Sequence, residues 1–209
     1  MIPVKVLAVR YLANASSVLA KGLGAPKEYP SLAMLTTDCD DATYIALDAA
    51  TKAADVQVSY GRSFYAGAAN ASTPTAGEVI GILAGATPSA VRSGMEAALG
   101  ALQRIGFEEV GGVPYLAHTV ASVGSFLAKE AGVSVGSAVA YLIAPPLEGM
   151  YAMDAALKAA DVKLCKLYAP PSETNFGGGL LSGTQSACEA ACAAFAQSVA
   201  EVARMPIEG

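Results

Sequence analysis

The side chains that could do catalytic chemistry are few in this sequence, and they are scattered. The single histidine, His118, lies in the apolar segment YLAHTV at residues 115–120. A histidine on an apolar strand more often makes one structural hydrogen bond than serves as a general base. Catalysis near neutral pH usually needs a nucleophile with its base, an acid–base pair or a bound metal. The sequence shows no such combination and therefore predicts a protein that is not an enzyme.

The four cysteines and the glycine run also match no reactive pattern. Cys188 and Cys192 are one helical turn apart with no histidine nearby, which is typical of small buried hydrophobic residues. Adding Cys39 and Cys165 gives no metal-ligand spacing. The three glycines at 177–179 do not follow the phosphate-binding patterns GxxxxGK[ST] or GxGxxG. We expect no metal and no catalytic cofactor, and a reducing environment for the thiols.

Charge and hydropathy argue against two further classes of partner. The formal net charge is −5 and no short window holds more than two basic residues, so nucleic-acid binding has no electrostatic basis. Hydrophobic residues make up 54% and the mean hydropathy is +0.44. No apolar run approaches the roughly 18 to 20 residues that span a bilayer, and the first residues show no signal-peptide pattern. The apolar excess predicts burial against further copies of the chain, with an alanine-rich monomer as the alternative.

A ten-residue stretch occurs twice and organises the chain. Residues 47–56 read LDAATKAADV and residues 153–162 read MDAALKAADV, so eight of ten positions agree at a spacing of 106. Such a match indicates a tandem duplication of a unit the size of one domain. We therefore expect two domains, at residues 1–107 and 108–209. The stretch is rich in alanine and lacks glycine and proline, which predicts a helix that lies close to its neighbours.

Each copy is predicted to follow the order β-α-β-α-β-β-α. The predicted strands are 4–12, 31–37, 56–60 and 78–83 in the first copy, and 115–120, 138–144, 162–168 and 180–182 in the second. Predicted helices cover 15–21, 87–105, 124–131 and 185–204. Each ten-residue repeat lies in one further predicted helix. The first of these has Asp40 or Asp41 as its N-cap, and the second begins after Pro145 and Pro146. Helices over a mixed sheet give an α/β (α+β) fold of the ferredoxin-like kind. Long loops at 61–77 and 169–179 occupy the same place in both copies, and 108–114 is the expected linker.

The chain resembles the EutL type of ethanolamine-utilisation microcompartment shell protein. Four strings carry the likeness: TTDCDDATYIALDAATKAADVQVSYGRSFYAGA, TAGEVIGILAG, YLIAPPLEGMYAMDAALKAADV and PPSETNFGGGLLSGTQSACEAAC. It covers nearly the whole chain and departs mainly at residues 108–114, which form a shorter segment than usual. The resemblance implies two tandem circularly permuted bacterial microcompartment (BMC) domains. It also implies a flat pseudohexameric homotrimer, which can stack and which tiles with other shell proteins around an enzyme pathway in the bacterial cytoplasm.

By the same resemblance, the two long loops surround a gated central pore for a metabolite or cofactor. The pore-loop residues would be Arg62, Tyr65, Gly67, Asn70, Glu173, Asn175, Phe176, Gly177, Gly178 and Gly179. Glycines give such loops backbone freedom, and a loop that opens and closes needs few anchoring contacts.

The family also implies a small-molecule pocket that takes an amino alcohol. Asp40, Glu78, Phe107 and Thr174 would form it, because two carboxylates and an aromatic face attract an ammonium group. From the residues alone each has an ordinary role, as helix cap, solvated strand entry, core and loop respectively. Some relatives bind a cobalamin, which is not assumed here. The alternative class is a non-catalytic sensor built from duplicated ferredoxin-like domains.

Overall fold

The computed structural model describes residues 1–64, 78–170, 172 and 176–207. The first copy contains β1 (Val6–Leu12), α1 (Ser17–Gly22), β2 (Ser31–Thr37), α2 (Asp40–Ala53), β3 (Val56–Phe64), β4 (Glu78–Gly85) and α3 (Pro88–Leu102). The second contains β5 (Glu108–Val110), β6 (Val113–Val120), α4 (Ser125–Ala131), β7 (Ala138–Ala144), α5 (Pro146–Ala159), β8 (Val162–Tyr168), β9 (Gly177–Gly183) and α6 (Gln185–Arg204). The predicted order of elements is present in both copies, and the second adds β5 in front of it.

Each copy builds one sheet, and every strand pair in it is antiparallel. The strand orders are β1-β2-β4-β3 and β5-β6-β7-β9-β8. The expectation of a mixed sheet was wrong for a topological reason. The strands on either side of each repeat helix do run in the same direction, but β4 or β9 is inserted between them, as in a split βαβ unit.

The two long helices of each copy cover one face of its sheet. Alanines every four residues allow α2 to lie close to its neighbours, since Ala42, Ala46 and Ala50 are fully buried. In the second copy Ala152 and Ala156 of α5 are equally buried in a core shared with α6. Among the described helices none is both long and apolar enough to cross a membrane.

The expected linker at 108–114 is wrong, because these residues form a tight hairpin. β5 pairs with β6 from Glu108↔Tyr115 to Val110↔Val113. The two residues between the strands, Gly111 and Gly112, have φ angles of 58° and 81°. Two successive positive φ angles match the turn whose twist suits a two-residue hairpin, and glycine adopts them without steric cost.

The start of α3 was predicted correctly, and the start of α2 was predicted one or two residues too late. Thr87 caps α3, with its hydroxyl accepting the Ala90 N–H at 3.1 Å, and Pro88 follows at the first helical position. The N-cap of α2 is Cys39, which makes no side-chain cap. Asp40 and Asp41 therefore lie in the first turn, where the helix dipole favours negative charge.

The two copies share one hydrophobic core. A cluster of buried side chains from α2 and α3 continues through Leu116 and Leu127 to Tyr141 and Ile143 of the second copy. We call the contact between α2 and β3 of the first copy and α4, β7 and β8 of the second the in-chain junction. It places polar residues of both copies around one cavity.

Candidate functional site

A cavity of about 380 Å³ lies in the in-chain junction. The first copy lines it with the start of α2 and the end of β3, and the second with α4, β7, β8 and residues 169, 172 and 176. Its volume falls in the range of small-molecule pockets. Neither copy could form this cavity alone.

Two neighbouring carboxylates form its acidic end. Asp40 is 4% exposed and Asp41 is 7% exposed. The Asp40 carboxylate accepts the Asp41 N–H at 2.9 Å, and the Tyr141 hydroxyl donates to Asp41 at 2.8 Å. Burial raises the pKa of Asp40 to about 6, and burial together with the Asp40 charge raises the pKa of Asp41 well above its ordinary value. The pair is therefore an acidic site, and among the described residues no buried cation lies beside it to balance both charges.

Two pairs of aromatic rings form walls of the cavity. One pair joins the two copies, and the other joins two strands of the second copy. Tyr44 of α2 packs on Phe126 of α4 with ring centroids 5.9 Å apart, and the Tyr44 and Ser63 hydroxyls are 2.6 Å apart. Tyr141 and Tyr168 stack at 6.3 Å with planes 28° apart. Such rings exclude water and present negative faces, which attract a bound cation.

The basic side chains at the rim are Arg62 and Lys166. Lys166 is 2.5 Å from Glu130 and lies 5.3 Å from the Tyr168 ring centroid, so its charge is already balanced. With Asp40, Asp41 and Glu130 opposing Arg62 and Lys166, acidic groups outnumber basic ones along the lining. The arrangement can hold a small polar molecule with a cationic group.

The structure brings only part of the predicted pocket together. Asp40 lines the cavity, while Phe107 is fully buried and contacts it through Phe176, whose ring centroid is 5.9 Å away. Glu78 is not solvated as a strand entry would be; it is 1% exposed, and its Oε1 has no hydrogen-bond partner among the described residues. It begins β4 opposite Phe64, one pair beyond Ser63. Thr174 lies outside the described residues.

Several predicted pore-loop residues are strand residues instead. Arg62 belongs to β3 and Phe176 lines the cavity. Gly177, Gly178 and Gly179 begin β9 and are buried, so the prediction of flexible loop glycines was wrong there. Tyr65, Gly67, Asn70, Glu173 and Asn175 lie outside the described residues.

Close backbone packing explains this glycine run. Gly178 has a φ of 153°, and a Cβ there would collide with the Leu142 carbonyl. A Cβ on Gly149 of α5 would approach the Gly177 carbonyl to 2.7 Å. These glycines allow strands and helix to meet, which is a role of close approach rather than of flexibility.

Sequence reasoning missed most of the second copy's contribution to the cavity. Tyr141 lies in the apolar string AVAYLIA, where it looked like core, and Phe126 lies in a short helix. The usable signal was a tyrosine in an otherwise aliphatic central strand, because a buried hydroxyl needs a polar partner. The adjacent acids Asp40 and Asp41 supply that partner.

The residues with catalytic potential lie elsewhere and are not assembled. His118 pairs with Tyr141 across β6 and β7, and burial, then the charge of Lys52, lowers its pKa. Cys188 and Cys192 are buried as expected, and the Cys192 sulfur lies 3.3 Å from the Thr119 hydroxyl. Within the described part of the chain, no three His, Cys, Asp or Glu side chains come together as metal ligands.

Comparison with known proteins gives consistent matches. The BMC domain family matches residues 31–113, from β2 to the start of β6. The shell protein EutL of Clostridium perfringens is 56% identical over 97% of this chain and 95% of its own length, and that of Escherichia coli is 46% identical over 97% and 94%. The crystal structure of EutL from Leptotrichia buccalis superposes with a TM-score of 0.94 at 55% identity, covering 100% of this chain and 98% of the other. The chain therefore belongs to the EutL family of bacterial microcompartment shell proteins.

Proposed function

We propose that this shell protein forms a flat pseudohexameric trimer and that its in-chain cavity binds a small amino alcohol. Family membership makes the chain a structural, non-catalytic component that assembles in a microcompartment shell in the bacterial cytoplasm. The proposal goes beyond family membership in three respects: the trimer, its contacts with other shell proteins and the identity of the bound metabolite. No cobalamin or other cofactor is part of the proposal.

The observation that carries the ligand proposal is the buried acid pair. Asp40 and Asp41 lie in a cavity lined by tyrosines. Among the described residues, no basic side chain is hydrogen-bonded to either carboxylate. An ammonium group would balance their charge and gain from the aromatic faces.

Calorimetric titration with ethanolamine tests this pocket. We expect saturable binding of ethanolamine and of propylamine, and much weaker binding of the neutral propanol. The variant Asp40→Asn should bind ethanolamine at least tenfold more weakly, while Asp154→Asn, at a largely exposed carboxylate, should bind as the wild type does. Equal affinity of Asp40→Asn and wild type would refute the pocket.

Light scattering followed by electron microscopy tests the assembly. A three-chain mass, or twice that if trimers stack, with hexagonally ordered sheets at high concentration is the expected result. A dispersed particle that binds ethanolamine but never forms sheets would favour the sensor instead. A monomer that neither assembles nor binds would contradict both.

The central pore is the remaining part of the proposal. The connections β3–β4 and β8–β9 leave equivalent ends of the two sheets, so a ring of chains would bring them around one axis. Gating by these loops stays a prediction. Solute flux through reconstituted shells, compared between wild type and a variant with both connections shortened, would measure it.

A further inference from the structure

The two acids of the cavity differ in the groups that donate hydrogen bonds to them. Asp40 accepts the Asp41 N–H at 2.9 Å and also accepts from the Ser63 hydroxyl. Asp41 accepts the Tyr141 hydroxyl at 2.8 Å. The two carboxyl groups are also hydrogen-bonded to each other. An ionised carboxylate only accepts hydrogen bonds, so a bond between two carboxyl groups requires a proton on one of them.

The donors around the pair favour Asp41 as the group that holds this proton. Donors to a carboxylate stabilise its charged form. Burial raises the pKa of Asp40, but the bonds from Ser63 and from Asp41 limit this rise to about 6. Burial, and next the charge of Asp40, raise the pKa of Asp41 well above its ordinary value. At neutral pH the pair therefore carries one negative charge, on Asp40, and one proton, on Asp41.

The directions of the neighbouring hydrogen bonds lead to the same assignment. The Ser63 hydroxyl has one proton, which it donates to Asp40, so it must accept from the Tyr44 hydroxyl, 2.6 Å away. On the other side, Tyr141 donates to Asp41. Two series of donors, one from Tyr44 through Ser63 and one from Tyr141 through Asp41, thus converge on Asp40. The carboxylate at which both series end is the one that carries the charge.

The other titratable groups that line the cavity leave this assignment unchanged. Lys166 is paired with Glu130. Arg62 is exposed on β3, and among the described residues it makes no hydrogen bond to either acid. Tyr168 stacks on Tyr141, and burial raises the pKa of both hydroxyls, so they remain neutral at pH 7. In the described lining, no hydrogen-bonded cation balances a second negative charge on the pair.

We propose that Asp41 keeps its proton at neutral pH and donates it to Asp40, so that Asp40 alone receives the ammonium group of the ligand. Asp41 is then a positioning residue that also determines specificity. It holds the Asp40 carboxylate in place and limits the site to one negative charge. The inference rests on the proposed amine pocket, assigns separate roles to its two acids and narrows the ligand class to molecules with one ammonium group.

The single charge discriminates between amines of similar size. The ammonium group of aminopropanol is balanced by Asp40, and its hydroxyl is neutral. Diaminopropane, with an amino group at each end, would bring a second ammonium group into the cavity with no carboxylate to balance it. Because an unbalanced buried charge is costly, we expect diaminopropane to bind about tenfold more weakly than aminopropanol. Calorimetric titration with both compounds measures the difference.

Substitution of Asp41 tests its role in calorimetric titrations with ethanolamine at pH 7. An asparagine amide can donate to Asp40 and accept from Tyr141, as a protonated aspartic acid does, so Asp41→Asn should bind within about threefold of wild type. Asp41→Leu has a similar volume but makes neither bond, and it should bind about tenfold more weakly. Asp40→Asn, which removes the charge itself, should lose affinity as expected for the pocket. Circular dichroism should show all three variants folded.

The pH dependence of ethanolamine binding separates positioning from a purely structural role. Wild type and Asp41→Asn should both lose affinity as the pH falls through about 6, because Asp40 takes up a proton there. In Asp41→Leu the midpoint of this loss should lie at higher pH, since Asp40 has lost a donor to its charged form. A midpoint that does not move in folded Asp41→Leu would contradict the positioning role.

Infrared spectroscopy of protein with isotope-labelled aspartate detects the proton itself and does not depend on the leucine variant. We expect a carboxylic-acid carbonyl band at pH 7 in wild type, before and after saturation with ethanolamine, and its loss in Asp41→Asn. Asp154→Asn, at an exposed carboxylate, is the control and should keep the band. Absence of the band in wild type would overturn the inference.

The outcomes distinguish this inference from the proposed pocket. If Asp40→Asn and Asp41→Asn both lose affinity about tenfold, both acids are ionised, so the inference fails and the pocket stands. If neither variant loses affinity, both fail. Binding of diaminopropane as tight as that of aminopropanol, or tighter, would also overturn the inference. The expected result is a loss of affinity in Asp40→Asn but not in Asp41→Asn, with the acid band present in wild type.

Discussion

Helices α2 and α5 carry the same ten-residue repeat, but most of α2 is buried and most of α5 is not. Nine of the 14 residues of α2 are buried, against four of 14 in α5. Asp48 is enclosed by backbone donors from the second copy, whereas Asp154 contacts only Lys158 among the described partners. The difference shows that the exposure of a residue depends on the neighbour that the fold supplies.

The largest expected effect distinguishes the two aspartates directly. Asp48→Ala removes a buried carboxylate that accepts two backbone N–H groups and lies 3.5 Å from Lys52. We expect the free energy of unfolding to fall by about 3 to 5 kcal/mol, because buried donors lose their partner. Asp154→Ala should change chain stability by less than about 0.5 kcal/mol. Urea unfolding of both variants at low protein concentration makes the comparison, and equal losses would contradict it.

A smaller effect tests the closeness of the in-chain junction. Gly124→Ala places a Cβ against Thr51 and Asp48, and we expect a loss of about 2 to 3 kcal/mol, typical of overpacking. Gly22→Ala at the end of α1 meets nothing within 4 Å and is the control, with an expected change between zero and a slight gain. If Gly124→Ala unfolds like wild type, the two helices do not touch as closely as described.

The third prediction concerns the acid pair, which α5 lacks. The pKa of Asp40 is raised to about 6, so the folded chain holds a proton that the unfolded chain releases near pH 4. The free energy of unfolding should therefore fall as the pH rises from about 4 to about 6 and stay lower above that. Asp40→Asn removes this contribution and should stabilise the chain at pH 7 by at most about 2 to 3 kcal/mol, relative to wild type, with no gain at pH 4.

Unfolding curves of both proteins at several pH values measure this difference. Asp154→Asn, at an exposed carboxylate, is the control and should parallel wild type. A gain in Asp40→Asn that is the same at pH 4 and pH 7 would mean that burial of the charge is not its cause. A carboxylate kept at such a cost fits a binding role better than a structural one.

Local signals in the sequence were sufficient for most elements. The strands Ser31–Thr37, Ala138–Ala144 and Val162–Tyr168 and the helix Gln185–Arg204 have the predicted bounds. Each is rich in apolar residues or alanine and has glycine, proline or aspartate within two positions of both ends. The duplication needed no structure, because identical residues at a fixed spacing reveal it.

Contacts between distant residues could not be predicted in the same way. The bond from Tyr141 to Asp41 joins residues 100 apart. The apolar string around Tyr141 indicates a buried hydroxyl that needs a polar partner, but it does not identify Asp41 as that partner. The glycines that begin β9 were mistaken for a flexible loop because glycine serves both purposes. Which purpose applies depends on the distance to Leu142 and α5, and that distance is a property of the assembled sheet.

The burial of Asp48 has a consequence for protein synthesis. The ribosome releases the whole first copy before it makes residues 122–127, which supply the backbone N–H donors for that carboxylate and the Ser122 carbonyl that accepts from Lys52. Until then the side of α2 that carries Asp48 is open to water, to chaperones and to other nascent chains on the same messenger. The hydrophobic core that the two copies share is therefore complete only once the second copy has been made.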